Sequence, residues 1–211
     1  MRITKLGHCC LLIEEQGVRL LTDPGAYTPM PIEVSDIHAI LITHEHPDHL
    51  HMESLKHLLE QHPGIPIITN ASVGNMLTKE RIVYTVVNHA QEHALHDITL
   101  LGHGTMHAPI YPSIPQVENT GYIINKRLYY PGDAFTLPPH PIEILALPVA
   151  GPWMKLAEAV DFAKAVRPKI CFPVHDGMLK YMGIAHILPK KELEPLGIVF
   201  HALENGTSFE A

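Results

Sequence analysis

Residues 43–49 carry the side chains in this chain with the clearest capacity for chemistry. They read Thr-His-Glu-His-Pro-Asp-His, so three imidazoles and an aspartate fall within a few positions of one another. The apolar run 39–42 comes directly before them and predicts a strand that leads into a loop. Imidazole nitrogen and carboxylate oxygen are donors that suit zinc, manganese and iron. The segment therefore predicts a metal-binding loop whose ligands are His44, His46, Asp48 and His49.

Three further donors stand where other predicted strands end. His107 comes after the strand predicted at 98–102, Asp133 after the one at 128–130, and His175 after the one at 169–173. A centre for two metal ions needs about six or seven donors, and these three complete such a set. His103, four residues earlier and also flanked by small residues, competes with His107, and His107 is preferred because the small residue and proline-rich loop after it resemble the pattern of the family named below.

The elements that must position these donors are short apolar runs separated by Gly, Pro and Asp. They predict strands at 2–6, 9–13, 18–22, 39–43, 65–69, 82–87, 98–102, 121–125, 128–130, 142–149, 169–173 and 198–203. Apolar residues at helical spacing predict helices at 51–62, 72–79, 156–166 and 190–195. Two blocks of strands, each with helices, predict an α/β (α+β) protein folded as a four-layer αββα sandwich. Residues 1–211 are expected to form one domain.

Composition narrows the classes of partner. Lys and Arg number 15 against 22 Asp and Glu, for a net charge of -7, so nucleic acid is a poor partner and a small-molecule substrate is expected. Three cysteines make no even disulfide framework, and Cys9 and Cys10 are adjacent, which favours a reducing, cytoplasmic setting. No apolar run approaches the ~20 residues of a membrane span. A homo-oligomer stays open, because nothing in the sequence argues for or against it.

Several residues near the predicted ligands are given other roles. Asp23 is expected to accept hydrogen bonds from the backbone of the ligand loop rather than to bind metal. Two interpretations of His8 remain open. It is either a substrate contact or proton donor, or a histidine at a strand end without a role. Cys9 and Cys10 are expected to be buried strand residues, and Trp153 to pack, with a place in the pocket wall as the alternative. Six further histidines are assigned to a solvated helix face (His51, His57, His62) or to a loop at 88–97 (His89, His93, His96).

Taken together, these motifs resemble those of the metallo-β-lactamase superfamily of hydrolases. The signature of that superfamily is His-x-His-x-Asp-His followed by separate His, Asp and His ligands, and residues 21–25 resemble its first motif. The resemblance runs from residue 1 to about residue 205. Residues 6–8, before Thr22-Asp23-Pro24, are similar to the branch that contains ascorbate-6-phosphate lactonase and uncharacterised metal-dependent hydrolases.

The resemblance implies a role for each predicted ligand. His44, His46 and His107 would hold a first metal ion, Asp48, His49 and His175 a second, and Asp133 would bridge the two. The cofactors would be two divalent cations, with Zn²⁺ preferred and Mn²⁺ or Fe as alternatives. They would hold a bridging hydroxide that attacks an ester, lactone or phosphoester. Asp48 and Asp133 are the expected catalytic residues, Asp48 also as a candidate proton relay.

Two other functions fit the same residues. An enzyme that resembles a persulfide dioxygenase would use one iron ion in this fold and would consume oxygen. A metal-binding protein without catalysis would bind metal and turn over no substrate, although a complete seven-ligand set disfavours it. The histidine at position 46, where flavodiiron relatives carry glutamate, argues against reduction of dioxygen or nitric oxide.

Overall fold

The chain folds into two seven-stranded sheets and four helices, and the computed structural model describes residues 1–211. The strands are β1 (Arg2–Lys5), β2 (Leu11–Glu15), β3 (Val18–Thr22), β4 (Ala39–Leu41), β5 (Ile67–Thr69), β6 (Thr85–Val86), β7 (Glu92–Leu95), β8 (Ile98–His103), β9 (Gly121–Ile124), β10 (Leu128–Tyr130), β11 (Ile144–Pro148), β12 (Ile170–Val174), β13 (Val199–Phe200) and β14 (Ser208–Glu210). The helices are α1 (Met52–Gln61), α2 (Ala71–Lys79), α3 (Leu156–Val166) and α4 (Gly183–Leu193), and a 3₁₀ turn spans Glu194–Leu196. None of the helices has the length and apolar character needed to cross a membrane.

Both sheets are mixed in the same way. The first has the order β14-β1-β2-β3-β4-β5-β6, and the second has the order β13-β12-β11-β10-β9-β8-β7. In the first sheet β14, β1, β2 and β3 pair antiparallel, whereas β3 to β6 pair parallel. In the second sheet β7 to β10 pair antiparallel, and β10 to β13 pair parallel. Each half of the molecule thus combines hairpins with parallel crossovers that carry the helices.

Alternating side chains along the strands fill three apolar layers. Leu11 and Ile13 of β2 face a central core that also contains Ile144 of β11, so this core lies between the two sheets. Leu12 faces the opposite way and packs in a core with residues of α1 and α2. On the second sheet Leu145 packs in a core with residues of α3 and α4. A period of two along buried strands therefore produces the predicted αββα sandwich.

The predicted ligands follow strands whose carboxyl ends meet at one edge of the sandwich. The metal loop follows β4, which is parallel to β3, and β12 is parallel to β11 and through it to β10. Strands β8 and β10 run in the same direction because each is antiparallel to β9 between them. Topology alone therefore brings the segments after β4, β8, β10 and β12 together.

Most predicted elements are confirmed, and the differences fall where local sequence is a weak guide. The loop predicted at 88–97 is wrong for Glu92–Leu95, which form β7 against β8. The strand predicted at 82–87 is reduced to the two residues of β6. The helix predicted at 190–195 is instead α4, which begins at Gly183 and contains Pro189, followed by the 3₁₀ turn. Strand β14 was not predicted at all and pairs with β1 at the other end of the chain.

Asn70 ties helix α2 to the start of the metal loop. Its side-chain oxygen accepts a hydrogen bond from the Val73 amide at 3.0 Å and caps the helix, while its side-chain nitrogen donates to the Thr43 carbonyl at 2.9 Å. Asn75 lies in the same helix and is exposed.

Replacing Asn70 by alanine is expected to lower the free energy of unfolding by about 1–2 kcal/mol, because a helix cap and a buried hydrogen bond are both lost. The measurement is urea unfolding of the variant beside wild type. Asn75→Ala is the matched control, since it makes the same change in the same helix without a cap and is expected to be neutral or slightly stabilising. Equal losses in the two variants would contradict the capping role.

Candidate metal centre

The carboxylate of Asp23 is a fully buried acceptor on which the metal loop is built. Its Oδ1 accepts the Thr43 amide at 2.8 Å, and its Oδ2 accepts the Thr43 hydroxyl at 2.8 Å and the His49 Nδ1–H at 2.7 Å. The Tyr130 hydroxyl, from the second sheet, also donates to Oδ2. This confirms the prediction that Asp23 accepts from the backbone of the ligand loop, and the same carboxylate also joins the two sheets.

Gly25 allows the segment after Asp23 to lie directly on the metal loop. A Cβ at position 25 would stand 1.7 Å from the carbonyl oxygen of Asp48, a distance that no side chain can occupy. The neighbouring Ala26 amide donates to the Pro47 carbonyl at 2.8 Å. Residues 23–26 thus fix the backbone course of the loop that carries Asp48 and His49.

Asp133 is held in place by Asn119, a residue that the sequence reasoning missed. The Asp133 amide donates to the Asn119 side-chain oxygen at 3.0 Å, and the Asn119 side-chain nitrogen donates to the Pro131 carbonyl at 2.9 Å. The Asp133 carbonyl accepts the Ala108 amide at 2.8 Å, which links it to the segment of His107. No local motif marks Asn119, because its partner is far along the chain and its burial follows from the fold.

His175 occupies a strained position at the end of β12. Its φ is +60°, in the left-handed region that costs a non-glycine residue roughly 1–2 kcal/mol. Its amide donates to the His8 carbonyl at 2.9 Å, which holds the turn in that conformation. Strain that the surrounding structure maintains is typical of functional positions.

The structure brings all seven predicted donors together. Ligand atoms that lie within 4.8 Å of one another form three groups: His44, His46 and His107; His8, Asp48, His49 and His175; and His44, His49 and Asp133. Five of the seven are buried, and the other two, His46 and Asp48, are half-buried. The cluster is therefore able to bind metal, and Asp133 lies next to His107 of the first group and His175 of the second.

Several buried donor atoms in this cluster have no hydrogen-bond partner. They are the Nε2 atoms of His8, His44, His49, His107 and His175, the Nδ1 of His175 and the Oδ1 of Asp133. Buried polar atoms in native proteins are nearly always paired, since an unpaired one costs about 1–3 kcal/mol. The orphaned atoms of the predicted ligands converge on one volume and fit bound cations, which take up their lone pairs.

Distances around Asp133 fit shared coordination. Its Oδ2 lies 2.8 Å from His175 Nε2 and 3.3 Å from His107 Nε2, and its Oδ1 lies 3.1 Å from His49 Nε2. Two ligands of one tetrahedral zinc ion stand roughly 3.3–3.4 Å apart, given bond lengths near 2.0–2.1 Å. The Asp133 carboxylate thus has His107 of the first group and His49 and His175 of the second group at close to that separation.

Three of the histidines have their Nδ1 protons fixed by acceptors. His49 donates from Nδ1 to Asp23, His107 donates from Nδ1 to the Ala108 carbonyl, and His44 Nδ1 lies 3.0 Å from the Thr43 hydroxyl, which itself donates to Asp23. When Nδ1 holds the proton, the lone pair of a neutral imidazole is on Nε2. Each of the three rings therefore presents Nε2 to a metal ion, as outer hydrogen bonds do in metal sites.

Burial and neighbouring charges give the imidazoles different proton affinities. Desolvation, reinforced by the His49 charge, holds the pKa of His44 well below its ordinary value, and desolvation likewise lowers the pKa of His46. Burial would also lower the pKa of His175, but the Asp133 carboxylate, together with the other anionic groups and hydrogen bonds around the ring, raises this pKa to about 10. The same carboxylate raises the pKa of His49 well above its ordinary value despite burial. Without metal, His49 and His175 hold protons that His44 and His46 lack.

Neighbouring residues resolve the roles that the sequence left open. His103 is outside the cluster and donates from Nε2 to the Leu137 carbonyl at 2.7 Å, whereas His107 lies inside the cluster. Trp153 is buried and packs edge-on against the rings of His107 and His175, so it both packs and walls the centre. His8 is fully buried and lies in one donor group with Asp48, His49 and His175.

The remaining predictions for histidines are met in part. His51, His57 and His62 are half-buried at or near α1, where each makes its own hydrogen bond, rather than forming an open solvated face. His89 and His96 lie outside strands as expected, but His93 belongs to β7. Cys9 and Cys10 are fully buried as predicted and belong to none of the donor groups, but they lie in the turn between β1 and β2 rather than in a strand.

Comparison with known proteins gives the same family as the motifs. The family model described as "Beta-lactamase superfamily domain" matches residues 2–175. Protein Rv0786c of Mycobacterium tuberculosis is 37% identical over 184 residues, with 85% of each chain covered. A UPF0173 metal-dependent hydrolase of Carboxydothermus hydrogenoformans is 27% identical over 194 residues, with 83% of this chain and 84% of that one covered. The chain belongs to the metallo-β-lactamase superfamily and is one of its metal-dependent hydrolases.

Solved structures show the same fold at low sequence identity. Igni18, described as a novel metallo hydrolase from the archaeon Ignicoccus hospitalis, superposes with a TM-score of 0.77 at 20% identity. That match covers 100% of this chain and 98% of the other. The αββα arrangement is therefore that of the metallo-hydrolase fold.

Zinc binding is expected to release protons at pH 7. His175, with its pKa raised to about 10, and His49 hold protons that must leave before Nε2 can bind an ion. Zinc affinity should therefore increase as pH rises from about 6.5 toward 10. The measurement is calorimetric titration of the metal-free protein with zinc at pH 7 in two buffers of different ionisation enthalpy. An apparent enthalpy that is identical in both buffers would contradict the release of protons on zinc binding.

Proposed function

We propose that this metal-dependent hydrolase holds two divalent metal ions and cleaves a small-molecule ester, lactone or phosphoester. The observation that carries the proposal is the convergence of unpartnered buried donor atoms, four imidazole Nε2 atoms and Asp133 Oδ1 among them, in one volume. The names of the UPF0173 relatives, which are metal-dependent hydrolases, support the same reaction class.

Seven side chains would hold the two ions. His44, His46 and His107 are the donors for the first ion and Asp48, His49 and His175 for the second, a division supported by the grouping of their ligand atoms. Asp133 would bridge the two, because its oxygens lie 3.3 Å from His107 Nε2 and 2.8 Å from His175 Nε2. The mixed nitrogen and oxygen set suits zinc first and also manganese or iron.

Two such ions would supply a nucleophilic hydroxide near neutral pH and an electrophile for the oxygen of the scissile group. The protein itself fixes the direction of the donors. Asp23 and the Ala108 carbonyl hold the Nδ1 protons of His49 and His107, so that both Nε2 lone pairs face the ions. Trp153 covers His107 and His175 on one side and keeps water from their rings.

The charges around the centre favour an uncharged ester or lactone over a phosphoester. The buried ammonium of Lys5 is already bonded to both oxygens of Asp176 at 2.6 Å and has no free charge for a phosphate. Loops that leave the predicted ligands and Asp23 carry exposed tyrosines at their outer parts, namely Tyr27, Tyr111 and Tyr181. Aromatic and apolar surfaces of this kind suit an uncharged organic group.

Replacing Asp133 by asparagine is expected to lower kcat/KM on carboxyl esters or lactones by more than about 100-fold, because an isosteric amide cannot carry the charge that bridges two cations. The measurement is turnover of a panel of lactones, carboxyl esters and phosphodiesters by zinc-loaded protein. Asp36→Asn makes the same change at an exposed site, since 84% of the Asp36 side chain is accessible, and is expected to retain full activity.

Equal activity of Asp133→Asn and wild type would contradict the catalytic proposal. Binding of one iron ion, oxygen consumption with a thiol persulfide and no hydrolysis of any ester would establish the dioxygenase alternative instead. Metal binding with no turnover of any substrate would leave a non-catalytic metal-binding protein.

His107→Ala is expected to reduce the zinc content by about one ion per chain, because the first ion would keep only two imidazoles and a carboxylate shared with the second ion, which is too weak a set to retain it through dialysis. His103→Ala is the matched control, since it removes a buried histidine four residues away that lies outside the cluster. The measurement is zinc content by plasma mass spectrometry. A loss of zinc in His103→Ala with none in His107→Ala would reverse the assignment.

A further inference from the structure

His8 lies inside the metal centre, and the proposed function gives it no task. It belongs to the turn between β1 and β2 and is fully buried. Its ring centroid lies 4.1 Å from that of His175 and 5.9 Å from that of His49. Its Nε2 has no hydrogen-bond partner and stands 3.4 Å from Asp48 Oδ2. By distance alone His8 qualifies as a fourth protein donor to the second ion.

The hydrogen bond at the other ring nitrogen excludes that role. The Gly177 amide donates to His8 Nδ1 at 2.9 Å, so Nδ1 carries a lone pair and no proton. A neutral imidazole has one protonated nitrogen, and in His8 it must be Nε2. Coordination through Nε2 would require the proton to move to Nδ1, where it would face the Gly177 N–H. The ligand histidines His49 and His107 have the opposite arrangement, since their Nδ1 atoms donate.

The surroundings hold the His8 ring in this orientation. The His8 carbonyl accepts the His175 amide at 2.9 Å, so His8 is bonded to the ligand segment through both its backbone and its ring. A Cβ at position 177 would stand 2.8 Å from His8 Cβ, so the absence of a side chain there permits the contact.

A buried ion pair fixes the same segment from its other side. Lys5 Nζ donates to both carboxylate oxygens of Asp176 at 2.6 Å and to the Pro173 carbonyl at 3.1 Å. His186 of α4 donates from Nε2 to Asp176 at 2.8 Å. Residues 5–8 and 173–177 therefore form one braced unit, and a flip of the His8 ring would cost its hydrogen bond to Gly177.

We propose that His8 is a positioning residue that donates its Nε2–H to Asp48 and turns that carboxylate toward the second metal ion. Two ring nitrogens, His8 Nε2 and His175 Nε2, stand 3.4 Å from Asp48 Oδ2, and the lone pair of His175 Nε2 is assigned to the second ion. Carboxylates that bind metals are normally held by an outer hydrogen bond, and the His8 Nε2–H is placed to supply it. The 3.4 Å separation closes to hydrogen-bond length with a small rotation of the Asp48 carboxylate. The proposal rests on the proposed two-metal function, since it assigns Asp48 to the second ion.

The decisive test is long-range ¹H–¹⁵N NMR of the histidine rings in the full chain, before and after loading with zinc. The expected result is that His8 keeps its proton on Nε2 in both states, whereas His49 and His107 keep theirs on Nδ1 and their Nε2 resonances shift with zinc. Loss of the His8 Nε2 proton on zinc loading would overturn the proposal. Zinc stoichiometry of the same sample distinguishes the two claims: fewer than two ions with an unchanged His8 tautomer would refute the proposed function and leave the tautomer standing.

Two variants of His8 separate positioning from ligation. His8→Ala is expected to weaken binding of the second zinc ion about 10–100-fold while both ions still bind at saturation, the usual effect of losing an outer hydrogen bond. His8→Gln retains an N–H donor and is expected to recover most of that affinity, with the first ion unaffected in both variants. His103→Gln is the control for removal of a buried histidine outside the cluster. An equal loss in His8→Ala and His8→Gln, or wild-type affinity in His8→Ala, would overturn the proposal.

Discussion

The buried carboxylate of Asp23 is the interaction on which the rest of the centre depends. It accepts two hydrogen bonds from Thr43 and one from His49, all within the first sheet's half of the molecule, and a fourth from Tyr130 of the second sheet. A buried charge that loses its partners costs about 3–5 kcal/mol, so the carboxylate and its donors stabilise one another only as a complete set. The same set determines where the metal loop begins, which ring nitrogen of His49 is free and how the two sheets meet.

Protons distinguish the histidines of this centre more sharply than distances do. His44 and His46 are kept neutral mainly by burial, whereas Asp133 keeps His49 and His175 protonated until a stronger cation replaces the proton. His8 lies as close to Asp48 as His175 does, at 3.4 Å, yet its ring is bonded in the reverse sense. A donor atom near a metal site is therefore a ligand only if its lone pair, and not its proton, faces the ion.

Much of this architecture follows from the sequence because its signals are local. Short apolar runs in β2, β3 and β11 predict strands that are buried on both faces, and donors at strand ends predict where the centre lies. The parts that were missed depend on distant partners. Strand β14 pairs with β1 across almost the entire chain, and Asn119 meets Asp133 only after the second sheet has formed. Helix α4 contains Pro189, which reads as a helix boundary when the sequence is taken alone.

We propose that one carboxylate, that of Asp133, joins two cation sites. Anomalous diffraction from crystals of the zinc-loaded protein tests this bridge, because it locates each ion independently of activity. We expect two peaks ~3.5–4 Å apart, one beside His44, His46 and His107 and the other beside Asp48, His49 and His175, with Asp133 in contact with both. A single peak, or a second peak out of reach of Asp133, would contradict it.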